Sequence, residues 1–183
     1  MNTKNFSIRT APIVLILAAL FLTGCVSVSE QPLYTSRDLV FDSRLLGTWQ
    51  EADGHDVVWI GAGTDSGTGA AKTYVLTDEH GARLRAHLLR LNGALFLDLE
   101  EDNGHHFLAR VWITNNELHI SALRRCWLEK QITRGEIAGR VAEGFLEPSL
   151  LTASTAQLQT FLASHLNDPR VFDKPGVWRR KGD

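Results

Sequence analysis

Two cysteines, seven histidines and one run of carboxylates are the residues of this 183-residue chain whose types could do chemistry. Cys126 stands between Arg125 and Trp127. Neighbouring cations lower a thiol's pKa and expose its nucleophilicity. On a short helix, however, a cysteine also serves as a small buried hydrophobe, which is the expectation for Cys126. His105 and His106 are adjacent, so on a strand they point to opposite faces and cannot chelate together. His87 and His119 fall on polar faces of separate strands and meet only if those strands are neighbours. No His-Glu-x-x-His or Cys-x-x-Cys spacing supports zinc, and no Gly-x-Ser-x-Gly elbow supports a serine nucleophile. Asp98, Glu100, Glu101 and Asp102 could supply paired carboxylates, but at a hairpin end such a run reads as a solvated edge. The expectation is a protein without metal, cofactor or catalytic constellation.

Gly61-Ala62-Gly63, after the β-rich run Val57-Val58-Trp59-Ile60, raises a dinucleotide loop. That fingerprint needs a helix to follow, whose N-terminus holds the pyrophosphate. Lys72-Thr73-Tyr74-Val75-Leu76 is a strand instead, so residues 61–70 read as a hairpin loop. The aromatic residues offer a different chemistry. Trp49, Trp59, Phe96 and Trp112 could line a cavity for an apolar ligand or fill it as core. The interior of an eight-stranded barrel is just wide enough for either, and filled is the commoner case.

The elements that position these residues are mostly strands. Leu84, Ala86 and Leu88 alternate with Arg83, Arg85 and His87. Leu95, Leu97 and Leu99 share one face, with Phe96, Asp98 and Glu100 on the other. Leu118, Ile120 and Ala122 oppose Glu117, His119 and Ser121. Period two with one polar face marks an antiparallel sheet covered on one side. Asp53-Gly54, Asp78 to Gly81, Asn92-Gly93, Asp102 to Gly104 and Asn115-Asn116 punctuate it as turns, and Asn92-Gly93 suits a type I′ hairpin. After Leu123 the alternation stops. Arg125 to about 133 suits a short helix, and residues 150–153 a brief extended piece. Ser154-Thr155-Ala156-Gln157 is a capping box opening a helix over 155–166, with Leu158, Phe161, Leu162 and Leu166 on one stripe. Val177 to Lys181 is a closing strand. The fold class is mainly β (α+β), an antiparallel meander forming a curved sheet or small barrel, with the late helix packed on it.

The N-terminus has its own logic. Met1 to Arg9 carries Lys4 and Arg9 and no acid, and Ala11 to Leu22 is twelve apolar residues with one proline. A positive start, a short apolar run and a small-residue cleavage site describe a secretory signal peptide. A membrane-spanning helix needs about 20 apolar residues. Leu22-Thr23-Gly24-Cys25 resembles the lipobox of bacterial lipoproteins, in which Leu22 and Gly24 would be recognised. That resemblance implies that the thiol of Cys25 receives a diacylglycerol, that residues 1–24 are removed and that the new amino group is acylated. Val26 and Ser27, with no aspartate just after the cysteine, favour by the same resemblance the outer membrane, facing the periplasm. Residues 25–37 then read as a lipidated polar tether and 38–183 as one domain.

Cleavage removes Lys4 and Arg9, so the formal balance moves from −2 to −4. A mildly acidic surface argues against nucleic acid or anionic lipid headgroups as the main partner. With Cys25 acylated, Cys126 has no intrachain partner, and packing alone must hold the domain.

Gly47-Thr48-Trp49, the meander, the late helix and a closing strand with Arg179-Arg180 resemble the lipocalin and wider calycin plan. There the Gly-x-Trp tryptophan sits at the closed end of the barrel and a late arginine, here Arg179 or Arg180, packs across it. Thr77-Asp78-Glu79 only partly echoes the family's second motif, and residues 124–154 exceed a simple hairpin. The arrangement is also similar to uncharacterised bacterial lipoproteins with a short β domain and a capped helix. The expected function is a non-enzymatic, membrane-anchored module binding an envelope protein or apolar ligand. A lipocalin-type lipid carrier and a periplasmic hydrolase with dispersed residues are the alternatives.

Overall fold

The computed structural model describes residues 27–54, 56–63, 72–144 and 147–182. Leu22, Gly24 and Cys25 lie outside them, as does most of the 61–70 loop. The strands are β1 (Ser27–Ser29), β2 (Gly47–Glu51), β3 (Val57–Ala62), β4 (Thr73–Asp78), β5 (Arg83–Leu91) and β6 (Ala94–Glu100). They continue as β7 (His106–Thr114), β8 (Glu117–Ala122), β9 (Gly139–Arg140), β10 (Ser149–Leu151) and β11 (Gly176–Arg180), with helices α1 (Arg125–Thr133) and α2 (Thr155–His165). Eight of these strands close into an antiparallel barrel in the order β2-β3-β4-β5-β6-β7-β8-β11, with β11 pairing both β8 and β2. The chain is thus mainly β, a closed barrel with two helices.

Turn chemistry sets the registers. Asn92 (φ 46°) and Gly93 (φ 84°) form the β5–β6 hairpin, and Asn115 (φ 50°) and Asn116 (φ 64°) the β7–β8 hairpin. Positive φ at both central residues matches the right-handed twist of the flanking strands. Register then fixes the faces, because side chains alternate across a strand. Leu84, Ala86 and Leu88 of β5, Leu97 and Leu99 of β6, and Phe107, Ala109 and Val111 of β7 all point inward. They meet Trp49, Tyr74 and Trp178 in a filled interior, where Trp49, Tyr74 and Leu88 have no exposed surface.

One end of the barrel is corked. The Trp49 indole donates to Leu45 O at 2.8 Å. The Arg180 guanidinium lies 4.6 Å over its ring and donates to Leu46 O at 2.7 Å and Arg44 O at 2.6 Å. A 3-10 turn at Ser43–Leu45 fills the remaining space. Gly47 has φ 125°, and a Cβ there would run into the Arg180 guanidinium, so the glycine of Gly47-Thr48-Trp49 is required sterically. Across the same end, Val40 N–H donates to Leu88 O at 2.8 Å and Asp42 N–H to the Tyr74 hydroxyl at 2.6 Å.

Residues 27–37 are part of the domain and not a free tether. β1 pairs in parallel with β10, and its Ser29 pairs with His106 of β7. Val28 is buried in the barrel core and Leu33 has no exposed surface. The polar composition of this stretch reads as linker, but Val28 and Leu33 suffice to dock it once a receiving surface exists.

That surface belongs to a second core outside the barrel. Between β8 and β11 the chain makes a long excursion carrying α1, β9, β10 and α2. Leu89, Phe96 and Leu108, on the outer face of β5–β7, are covered by Leu128, Leu158, Phe161 and Leu162 of the helices. At the start of α2, Ser154 Oγ accepts from Gln157 N–H at 3.4 Å and Gln157 Oε1 accepts from Ser154 N–H at 3.0 Å, both halves of the capping box.

Ser154→Ala should cost about 1 kcal/mol of stability, read as a lower urea midpoint. Gly47→Ala combines left-handed strain with displacement of Arg180 and should cost about 1–3 kcal/mol. An Arg180→Ala background should recover part of the second loss, since the clash is then removed.

Candidate functional site

The four aromatic residues singled out in the sequence do not converge. Trp49 is interior, as the cork. Phe96 is buried, but outside the barrel beneath the helices. Trp59 is half exposed, at 50%, and lies over Gly61 on the outer face of β3. Trp112 is also outside, stacked on His119 at 5.1 Å, where it borders a surface recess with Phe172 and Pro175. Trp59, Phe96 and Trp112 therefore line no barrel cavity. Each stands between two inward residues (Val58 and Ile60, Leu95 and Leu97, Val111 and Ile113), so strand alternation sends it outward.

The carboxylate run holds a second difference. Asp98 is not at a solvated edge; it has no exposed surface. Its Oδ1 is 2.7 Å from His106 Nδ1, and its Oδ2 accepts Leu33 N–H at 2.7 Å. Tyr34 then covers the pair, its ring 4.4 Å from that of His87 and 6.5 Å from that of His106. His87 and Glu100, 3.8 Å apart, complete the cluster. These residues meet because β5, β6 and β7 are neighbours in register: His87 opposes Asp98, and Glu100 opposes His106. Burial pulls the His106 pKa down, but the Asp98 hydrogen bond and charge, with Glu100 behind them, raise it above the ordinary imidazole value.

Chemically, an aspartate orienting an imidazole is part of a general-base device. Here the Asp98 carboxylate also accepts a backbone N–H, that of Leu33. The arrangement instead fixes the N-terminal segment, through Leu33 and Tyr34, onto the outer barrel wall. His119 lies on β8, which does not neighbour β5, so it does not meet His87. Among the described residues no group of three or more His, Cys, Asp or Glu side chains is placed to hold a metal ion.

A recess large enough for a ligand lies on the helical flank. An open groove of about 760 Å³ runs between the α1–β9 segment and α2, with Ile132, Ile137, Ala156 and Phe161 in its walls. Beside it is a cleft of about 380 Å³ lined by Arg124, Cys126, Trp127, Lys130, Arg134 and Arg170. Cys126 is exposed there and is not a buried hydrophobe. It sits in the first turn of α1 on the side away from the core, while Trp127 and Leu128 point inward. The sequence carried no period that would bring residues 124–136 against 156–170; only the packing of the two helices does so.

No family model, curated protein or solved structure matches this chain.

The His106–Asp98 pair predicts a pH dependence with a definite sign. A folded-state pKa above the unfolded value, about 6.5, contributes stability that is complete below that value and is lost as pH rises through the folded one. The difference in unfolding free energy between wild type and His106→Gln should therefore be largest near pH 6 and shrink toward pH 9, followed by urea titration. Asp98→Ala, which strands the imidazole and Leu33 N–H, should cost about 3–5 kcal/mol.

Proposed function

We propose that this chain is an envelope lipoprotein, acylated at Cys25 and held in the outer membrane facing the periplasm, whose barrel is a scaffold for a non-enzymatic binding module. The ligand or partner engages the helical flank. The observation carrying this reading is the division of the molecule: the barrel interior is packed with side chains, and the large recess is outside it, between the α1–β9 segment and α2. The Trp49–Arg180 stack and the closing role of β11 support the likeness to the lipocalin plan. The filled interior weighs against the version in which a lipid is carried inside the barrel.

The anchor rests on Leu22-Thr23-Gly24-Cys25, and the short distance to the domain supports its mechanical role. Two or three acyl chains make attachment effectively permanent, where one gives marginal binding. Ser27, the first residue of β1, follows Cys25 by two positions, about 7 Å of extended chain. The anchored end of the domain would therefore ride on the bilayer surface rather than on a long leash.

Two measurements test the two halves. Cys25→Ser should accumulate as unprocessed precursor and incorporate no labelled palmitate; normal labelling of that variant defeats the lipid anchor. Nile red, an apolar dye, should bind the mature protein, and Ala156→Trp, which fills the groove from an exposed position on α2, should weaken it about tenfold. Undiminished dye binding in that variant, at unchanged melting temperature, rules out the flank as the apolar site.

A further inference from the structure

The groove and the cleft described on the helical flank are one continuous surface, because Glu136 and His165 line both. Their chemistry differs from one end to the other. The groove walls include Ile132, Ile137, Ala156 and Phe161. The cleft gathers Arg124, Lys130, Arg134 and Arg170 against two carboxylates, Glu136 and Asp168. Arg170 is held by Asp168 at 2.7 Å and Arg124 by Asp173 at 3.0 Å. Among the described ion pairs neither Lys130 nor Arg134 has a carboxylate partner, and both are exposed to the cleft. A cationic pocket in a domain whose overall balance is acidic creates a local field that attracts an anion. A trough that begins at that pocket and is walled in part by Ile132, Ile137, Ala156 and Phe161, beside the polar Gln157, Thr160 and Ser164, suits a hydrocarbon chain attached to the anion.

Resting on the binding-module reading, we propose that this flank takes an anionic amphiphile. Its phosphate or carboxylate head lies between Lys130 and Arg134, and its chain runs along the groove between Ile132 and Phe161. The position in the fold matches a membrane source. Gly139 of β9, in the groove wall, is two strands from β1 through β10, about 10 Å at the usual strand spacing. With Cys25 acylated as proposed, two residues before β1, this wall of the groove would face the membrane-proximal end of the domain. A free anion from solution would use the cleft without the groove, and the test separates the two sources.

The experiment uses the mature acylated protein in phosphatidylcholine nanodiscs with three probes: n-decyl phosphate, n-decanol and inorganic phosphate. Acylation consumes the Cys25 thiol, which leaves Cys126, exposed in the cleft, as the reporter; its alkylation rate by iodoacetamide is read alongside Nile red displacement from the groove. Decyl phosphate should displace the dye at least about tenfold more effectively than decanol and slow Cys126 alkylation several-fold. Lys130→Gln with Arg134→Gln should erase that advantage while decanol displacement is unchanged. Equal displacement by decanol and decyl phosphate overturns the anionic head and leaves the flank groove standing. Protection of Cys126 by inorganic phosphate equal to that by decyl phosphate overturns the amphiphile in favour of a free-anion site. If Ala156→Trp leaves all three probes unaffected, the flank reading itself fails. Two alkylated thiols in place of one would mean that the lipid anchor, not the ligand assignment, is wrong.

Discussion

Closure of the sheet is the constraint on which the rest of this structure depends. Once β11 pairs with both β2 and β8, and β6 with β7, each of the eight barrel strands has a neighbour on both sides. A closed sheet has no edges to protect, but it divides space into an inside and an outside. Every strand residue must then go to one or the other. The inside is filled by the aliphatic alternation of β5 to β8 and sealed by Trp49 under Arg180. Anything placed between β8 and β11 has to lie on the outside, and the long excursion carrying α1 and α2 does so over β5–β7.

That outer layer explains why the barrel wall is not uniformly polar on its outside. Leu89, Phe96 and Leu108 point outward because they serve the second core, not because the alternation is imperfect. Asp98, in the same row, would be costly to bury alone. It is tolerated because His106 and the Leu33 N–H both satisfy its carboxyl group, and removing one partner of such a pair costs more than the pair itself contributes. The result is a clamp that ties the first described residues to the strands they cover.

The same arrangement decides where a ligand could be accommodated. Side chains occupy the barrel interior, whereas helices crossing a curved sheet leave troughs between them. The trough beside α2 joins a cleft whose cations come from positions 124, 130, 134 and 170 in the sequence. Charge that is diluted in the whole-chain balance becomes a local field when α1, with its two capping arginines, meets the segment that follows α2.

Much of the fold was legible from residue order alone, because its causes are local. Alternation is a property of neighbouring residues, so the strands of β5, β6 and β8 could be read directly. Asn92-Gly93 and Ser154 to Gln157 act within four residues, and both make the turn and cap their chemistry implies. A tryptophan under a late arginine was implied only by the resemblance that Gly47-Thr48-Trp49 carries, and which arginine lies over Trp49, Arg180 and not Arg179, required the register of β11 against β2. What the sequence could not decide was which face is buried. Phe96, Trp59 and Trp112 look alike as aromatic strand residues, yet one is core beneath helices and two are outside. Asp98 looks like Asp102, yet it is fully buried, and residues 27–37 look like linker, yet they are docked. The flank recess had no local signature at all. Each of these outcomes depends on contacts between segments tens of residues apart, and only the closed barrel with its outer layer brings those segments together.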